Sequence, residues 1–189
     1  IFPWVPLGIL SYIAGHIVRG LRCRRLVRRE SNLRLVTASN IVVVGYAANN
    51  VFPARLGELV RAGMLAERTG IPITQSLVVT FIERVLDGLA ILMLLVLATM
   101  RGLTSDWTTE IVRAALVVFG GTCIVLVVAI YAPELVLTVT SRLGNKLGAR
   151  WHDRLVSLST SVTNAGASLR DPKDAALILF YSILVWVFE

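Results

Sequence analysis

Three ionisable residues interrupt an apolar stretch in the first half of this chain. The uncharged run of residues 88–100 is too short to cross a membrane, because a spanning helix needs about 20 residues. The span therefore has to begin near Ser76, and it carries Glu83, Arg84 and Asp87 into the bilayer. Each charge at that depth costs about 2.5–3.5 kcal/mol on insertion scales. We expect these charges to handle a polar or charged substrate inside the membrane.

Composition sets the class of protein. Of the 189 residues, 56% are hydrophobic, which exceeds the roughly 45–50% that is typical of soluble domains. The long apolar runs predict an all-α fold, a polytopic integral membrane bundle of helices. The net charge of +7 would suggest nucleic acid in a soluble protein. Here the basic residues flank apolar runs, which indicates membrane topology and anionic lipid, with no nucleic-acid partner.

The chain is expected to form a single membrane domain over residues 1–189, as an internal piece of a longer protein. It opens on Ile1 rather than methionine, and its last apolar run stops at Glu189, short of a full span. Cys23 lies in a basic stretch and Cys123 in the middle of a span, so they are not expected to pair, and neither has metal-site spacing. The sequence predicts no catalytic residue, no metal site and no cofactor.

Apolar and basic periodicity divides the chain into segments. Residues 133–174 have apolar residues at helical spacing and a basic residue every fourth position from Arg142 to Arg154. Such a helix either lies on the membrane surface with its basic side toward lipid phosphates or packs on the rest of the protein. The predicted segments are a span over 3–19, a basic loop over 19–34, a segment over 35–52, a more polar helix over 53–69, spans over 76–100 and 111–132, the connection over 133–174, and a truncated span from 175.

Loop charges predict the topology. The loop 19–34 has seven arginines and one glutamate, and the connection 133–174 has six basic and four acidic residues, so both are expected on the cytoplasmic side. The loop 101–110 has a net charge of −1 and is expected outside. The two segments between residues 35 and 69 must then start and end on the cytoplasmic side. The simplest solution is a re-entrant helix hairpin over residues 35–69, covered by protein or a water-filled cavity.

The turn of this hairpin has the features of an anion site. Asn49 precedes the turn, and Pro53 suits the first turn of a helix, where its missing N–H costs nothing. The start of that helix would present free N–H groups and a positive dipole end at the hairpin tip. Gly57 leaves the helix thin on one side, which permits the close approach of another helix or of a ligand.

Two polar stripes are predicted to face each other. Arg55, Glu58 and Arg61 are three residues apart and share one helix face. On the following span a polar stripe from Ser76 to Asp87 should face the bundle interior. A structural role is the alternative, in which the charges only lock the bundle, although buried ion pairs are weak evidence for stability. The expected network sets Arg55, Arg61 and Arg84 against Glu58, Glu83 and Asp87.

These two motifs resemble the lysylphosphatidylglycerol synthase transmembrane region family, also called the flippase-like domain family. The family pattern is an Asn, then Pro-x-Arg-x-Gly-Glu-x-x-Arg, and further on Glu-Arg-x-x-Asp in a membrane helix. The similarity covers about residues 11–98, including Arg19 and Arg22 in the basic stretch. The first motif is filled by Asn49, Pro53, Arg55, Gly57, Glu58 and Arg61, and the second by Glu83, Arg84 and Asp87, and these nine are the expected substrate-binding residues.

The resemblance implies a membrane protein that moves a lipid with an anionic head group between leaflets. Some relatives are the membrane part of enzymes that add lysine to phosphatidylglycerol, but these residues contain no aminoacyl-transfer domain, so a lysyl-transferase activity is not carried over. The alternatives are a membrane subunit or enzyme of lipid or glycolipid modification, and a structural scaffold. The expected partner is a membrane lipid, with a second copy of the chain or a lipid-modifying enzyme as further candidates. The expected location is the cytoplasmic membrane of a bacterium or archaeon.

Overall fold

The protein is a bundle of α-helices. The computed structural model describes residues 4–101 and 106–189, and no strand occurs in these two ranges. This confirms the predicted all-helical membrane fold. The α-helices are α1 (Trp4–Leu26), α2 (Leu35–Val51), α3 (Gly57–Thr69), α4 (Ile73–Met100), α5 (Asp106–Tyr131), α6 (Pro133–Leu147), α7 (Ala149–Ala165) and α8 (Pro172–Phe188), with short 3-10 helices at Pro53–Arg55 and Ala167–Arg170.

Helix α4 lies at the centre of the bundle. It packs against α3, α5, α7 and α8, and α1 packs against α2 and α8. Within residues 4–101 and 106–189, two helices are long and apolar enough to cross a membrane by themselves, Trp4–Leu26 and Glu110–Tyr131. At 28 residues, α4 is about 42 Å long and exceeds a hydrocarbon core of about 30 Å. Asp87, 14 residues after Ile73, lies halfway along it.

The first helix is longer than the sequence predicts. The expected loop over residues 19–34 is helical up to Leu26, so Arg19, Arg22 and Arg25 belong to α1. The physical reason is that these three arginines are three residues apart, and each meets a carboxylate of another part of the chain. The connection between α1 and α2 is therefore only residues 27–34.

Helices α2 and α3 form a hairpin, and α3 begins later than expected. It starts at Gly57 rather than at Pro53, because Ala54 adopts a left-handed conformation with φ 58° and ψ 26° that interrupts the helix. A side chain at Gly57 would collide with the carbonyl oxygen of Gly45 and with Asn49. The close approach predicted for Gly57 is thus made by the backbone of α2, which closes that side of the helix start.

The connection between α5 and α8 is two helices rather than one. The periodic pattern breaks at Gly148, whose φ of 97° is accessible to glycine and costly for other residues. Helix α6 packs along α7, and α7 packs against α4, so α7 follows the second alternative of packing on the rest of the protein. Arg142 and Arg154 are exposed, whereas the predicted stripe residues Leu143, Lys146, Leu147 and Arg150 have side chains outside the described part of the chain.

The same order of elements occurs twice along the described chain. A long helix, a helical hairpin and a second long helix follow one another in residues 4–101. In residues 106–189 the long helix α5 and the hairpin of α6 and α7 are followed by α8, which has 17 residues. The second set lacks the charged motifs of the first, which is why the sequence alone does not reveal the correspondence.

Gly57→Ala tests the tight contact of α2 with α3. The added methyl group has no room, so we expect a loss of about 1–3 kcal/mol in stability, measured as a lower melting temperature in detergent. Gly63→Ala is the matched control, since it lies in the same helix with open space around its Cα. The control should be neutral or slightly stabilising. Equal melting temperatures for the two variants would show that the hairpin is not closely packed.

Candidate functional site

Glu83 and Asp87 on α4 form the centre of the site. Both are buried, Glu83 with 1% and Asp87 with 6% of its surface exposed. Ser76 and Thr80, earlier on the same helix, are buried as well. An unpaired carboxylate in this position would be very costly, so the partners of these two side chains decide what the site can do.

Arg22 of α1 contacts both carboxylates. Its Nη1 donates to Asp87 Oδ1 at 2.5 Å, and its Nε lies 3.7 Å from Glu83 Oε1. Nη1 also donates to Ser182 Oγ of α8 at 3.1 Å. The side chain is buried, so Arg22 connects three helices, α1, α4 and α8, through one guanidinium group.

Arg61 of α3 supplies the second cation. Its Nη2 donates to Glu83 Oε2. The aliphatic part of the Arg61 side chain lies against Gly45 of α2, where any larger residue would collide with it. Glycine at position 45 therefore lets a long side chain cross the hairpin and reach α4.

Arg84 is the most accessible cation of the site. Its Nε lies 2.9 Å from Glu58 Oε1 of α3, and its Nη1 lies 3.6 Å from Asp87 Oδ2. The Arg84 and Glu58 side chains are 34% and 33% exposed, unlike the buried pairs behind them. Nη1 also donates to the Tyr46 hydroxyl at 3.5 Å, with the guanidinium 5.6 Å from the ring centroid.

Among the described side chains, three cations and three anions form one continuous chain of ion pairs. Arg22 is a cation that the predicted network did not include. The side chain of Arg55 lies outside the described part of the chain. The network consists of Arg22, Arg61, Arg84, Glu58, Glu83 and Asp87.

The other predicted residues lie at the hairpin turn. Pro53 is exposed in the 3-10 turn, and Asn49 is half-buried near the end of α2. Asn49 Oδ1 is buried and has no hydrogen-bond partner among the described residues, and it faces Gly57. The structure therefore places these three residues at the turn, beside the network rather than within it.

An apolar groove adjoins the network. It is a cavity of about 360 Å³ between α1 and α2. Tyr46 on its wall also contacts Arg84 and lies under the guanidinium of Arg19, 5.0 Å from the ring centroid. The groove is lined by Tyr12, Ile13, His16, Ile17, Ser39, Val43, Tyr46, Ala47 and Asn50.

Sequence reasoning missed Arg22, Tyr46 and Ser182 as neighbours of the site. A signal for Arg22 was present, because Arg19, Arg22 and Arg25 continue the three-residue spacing of a helix face. No comparable signal marks Tyr46 or Ser182, since single hydroxyl groups in apolar helices are common.

The sequence that contains the two motifs matches a known protein family. The family model described as "Lysylphosphatidylglycerol synthase TM region" matches residues 2–189. This chain belongs to that family. The match extends through α5 to α8, beyond the two motifs. Comparison with curated proteins and with solved structures gives no match. Membership of this family makes the chain a membrane protein related to lipid. In this chain the charged network lies between α1, α3 and α4.

Arg22→Met tests whether the buried carboxylates depend on Arg22. The change leaves Asp87 without its closest cation, which should cost about 3–5 kcal/mol and greatly lower the yield of folded protein. Arg29→Met is the matched control, because Arg29 is exposed in the turn after α1 and its loss should stay within about 0.5 kcal/mol. Thermal unfolding in detergent measures both. A stable Arg22→Met protein would mean that α1 does not neutralise the site.

Proposed function

We propose that this chain moves a lipid with an anionic head group between the two leaflets of the membrane. The observation that carries the proposal is the Arg84–Glu58 pair, which is half-exposed at the edge of an otherwise buried network. A pair in that position can open to a ligand without unpairing the charges behind it.

The charge balance of the network suits a site that is empty for part of its cycle. All six charges have partners, so the empty site adds no net charge to the bundle interior. Apolar packing would stabilise a bundle equally well, since replacing buried ion pairs with apolar residues is often neutral or stabilising. The cost of keeping six charges is better explained by a ligand that exchanges with one of them.

Lipid phosphate can exchange with Glu58 on Arg84. A guanidinium can bind phosphate through two parallel hydrogen bonds, so Arg84 can bind a phosphate in place of the Glu58 carboxylate that its Nε now contacts. Glu58 is partly exposed and can turn toward water when it is displaced. Arg61 and Arg22 remain paired with Glu83 and Asp87 during this exchange, so the charge of the site changes little.

The groove beside Tyr46 suits the apolar part of the lipid. Its lining is mostly apolar, and Tyr46 joins it to Arg84. An acyl chain along α1 and α2 would leave the phosphate of the same lipid near Arg84. Tyr46 would then contact both parts of the ligand, as tyrosine does where one end of its ring is apolar and the other is polar.

The proposed topology lets the hairpin enter and leave on one side. In this arrangement α2 and α3 are re-entrant, and residues 27–34 and 133–174 lie on the cytoplasmic side, where their basic residues are favoured. Helix α3 then carries Glu58 and Arg61 to membrane depth without crossing. The proposal places the chain in the cytoplasmic membrane of a bacterium or archaeon.

A structural scaffold is the second candidate function. The observation in its favour is that all six charges of the network are matched, so the network can hold α1, α3 and α4 together without any ligand. The two functions differ at Glu58 and Arg84. A scaffold needs this pair for stability, whereas a lipid transporter needs it for movement.

The double variant Glu58→Gln/Arg84→Gln separates these two functions. The change removes one cation and one anion, so it should leave the protein folded. Loss of a charge-assisted hydrogen bond to phosphate costs about 1.5–3 kcal/mol, so the rate of lipid transfer should fall roughly tenfold to a hundredfold. The measurement is transfer of fluorescent phosphatidylglycerol between leaflets of vesicles that contain the purified protein, together with its melting temperature.

The matched control is Glu110→Gln/Arg113→Gln, which removes another cation–anion pair, three residues apart and exposed on α5. This control should move lipid as the unaltered protein does. A scaffold would instead show a lowered melting temperature for Glu58→Gln/Arg84→Gln. Vesicles with the unaltered protein that move no more lipid than protein-free vesicles would contradict the proposed function.

A further inference from the structure

A second basic site lies at the end of α1, away from the ion-pair network. A partly open cavity of about 220 Å³ lies there between the end of α1, the turn that follows it and α8. Three of its seven lining residues are the arginines Arg24, Arg25 and Arg28. Leu21, Ser31, Asn32 and Tyr181 complete the lining.

Two of these arginines, Arg25 and Arg28, form ion pairs with the same carboxylate. Asp174 in the first turn of α8 is buried, and its Oδ1 accepts from Arg28 Nη1 at 3.1 Å and lies 3.0 Å from Arg25 Nε. Among the described residues no carboxylate lies within ion-pair distance of Arg24. Three cations against one anion leave the cavity with a local excess of positive charge.

The arginines around the cavity have more N–H donors than the Asp174 carboxylate can accept. A guanidinium carries five N–H donors, and Arg25 and Arg28 direct one contact each to the same oxygen of Asp174. Ser31, Asn32 and Tyr181 add hydroxyl and amide groups at the wall. A ligand that fits must therefore bring negative charge and several acceptor oxygens, which is the chemistry of a phosphate group.

We infer that this cavity binds a phosphate group, held by Arg24 and Arg28, with Arg25 kept in place by Asp174. The phosphate can belong to an anionic phospholipid of the adjacent leaflet or to a soluble phosphate compound. The inference does not rest on lipid movement by the chain, because none of the six network residues lines this cavity. Binding is therefore the quantity to measure.

The test uses the full chain in nanodiscs of phosphatidylcholine with increasing amounts of phosphatidylglycerol. Native mass spectrometry counts the phosphatidylglycerol molecules that stay bound. Arg24→Gln/Arg28→Gln should bind them at least about tenfold more weakly, because charge-assisted contacts to phosphate are lost. Arg24→Gln alone should give a partial loss of phosphatidylglycerol binding. This single variant leaves both contacts of Asp174 intact, so it serves as the test if the double variant is unstable.

A parallel titration of inorganic phosphate into phosphatidylcholine nanodiscs, at constant ionic strength, distinguishes the two sources. If calorimetry detects phosphate binding by the unaltered protein and Arg24→Gln/Arg28→Gln abolishes it, the site binds soluble phosphate. If the unaltered protein retains phosphatidylglycerol but calorimetry detects no binding of inorganic phosphate, the site binds lipid. The control is Arg68→Gln/Arg113→Gln, two exposed arginines outside the cavity with the same loss of charge. Equal loss in this control, or no loss in Arg24→Gln and the double variant, would overturn the inference.

Discussion

A charge that enters a membrane needs a partner, and this requirement accounts for the arrangement of α1, α3 and α4. Glu83 and Asp87 lie near the middle of α4, and both side chains are buried. Arg22 reaches them from α1 and Arg61 from α3, so the two carboxylates set how both helices pack. The position of the α2–α3 hairpin follows, because Arg61 reaches Glu83 only where Gly45 and Gly57 let α2 lie close to α3.

The network has a fixed part and an exchangeable part. The pairs of Arg61 with Glu83 and of Arg22 with Asp87 are buried, and breaking either leaves a charge without compensation. The Arg84–Glu58 pair is partly exposed, where an ion pair contributes little to stability because water screens it. Ligand exchange at this pair is accordingly the least costly way to open the site, and the proposed lipid movement uses it.

The sequence predicts much of this fold because the apolar runs are long and the charges few. The helices from Leu35 to Val51 and from Ile73 to Met100 begin within three residues of expectation, whereas α3 begins four residues later than expected. A hydrophobic run can be recognised within a short stretch of sequence, and the high cost of burying an unpaired charge restricts where its partners can lie. These two signals predict which helices pack together, but they do not predict which atoms are in contact.

The errors have physical causes that a single sequence does not display. Arg22 was assigned to a loop because arginines after an apolar run usually mark a cytoplasmic loop, while its partners come 61 and 65 residues later. The start of α3 was placed at Pro53 because the left-handed backbone of Ala54 has no sequence signature. The break at Gly148 was missed because apolar spacing continues across a glycine that forms a turn.

The central claim is that the α2–α3 hairpin carries Glu58 and Arg61 to the charges of α4 from one side of the membrane. Single cysteines test it in a protein whose Cys23 and Cys123 are replaced by alanine, with an impermeant thiol reagent added to intact cells or to inverted vesicles. Met100→Cys, exposed at the end of α4, should react only in intact cells. Glu67→Cys, exposed near the end of α3, should react only in inverted vesicles. Reaction of Glu67→Cys in intact cells would contradict the account, because the hairpin would then cross the membrane.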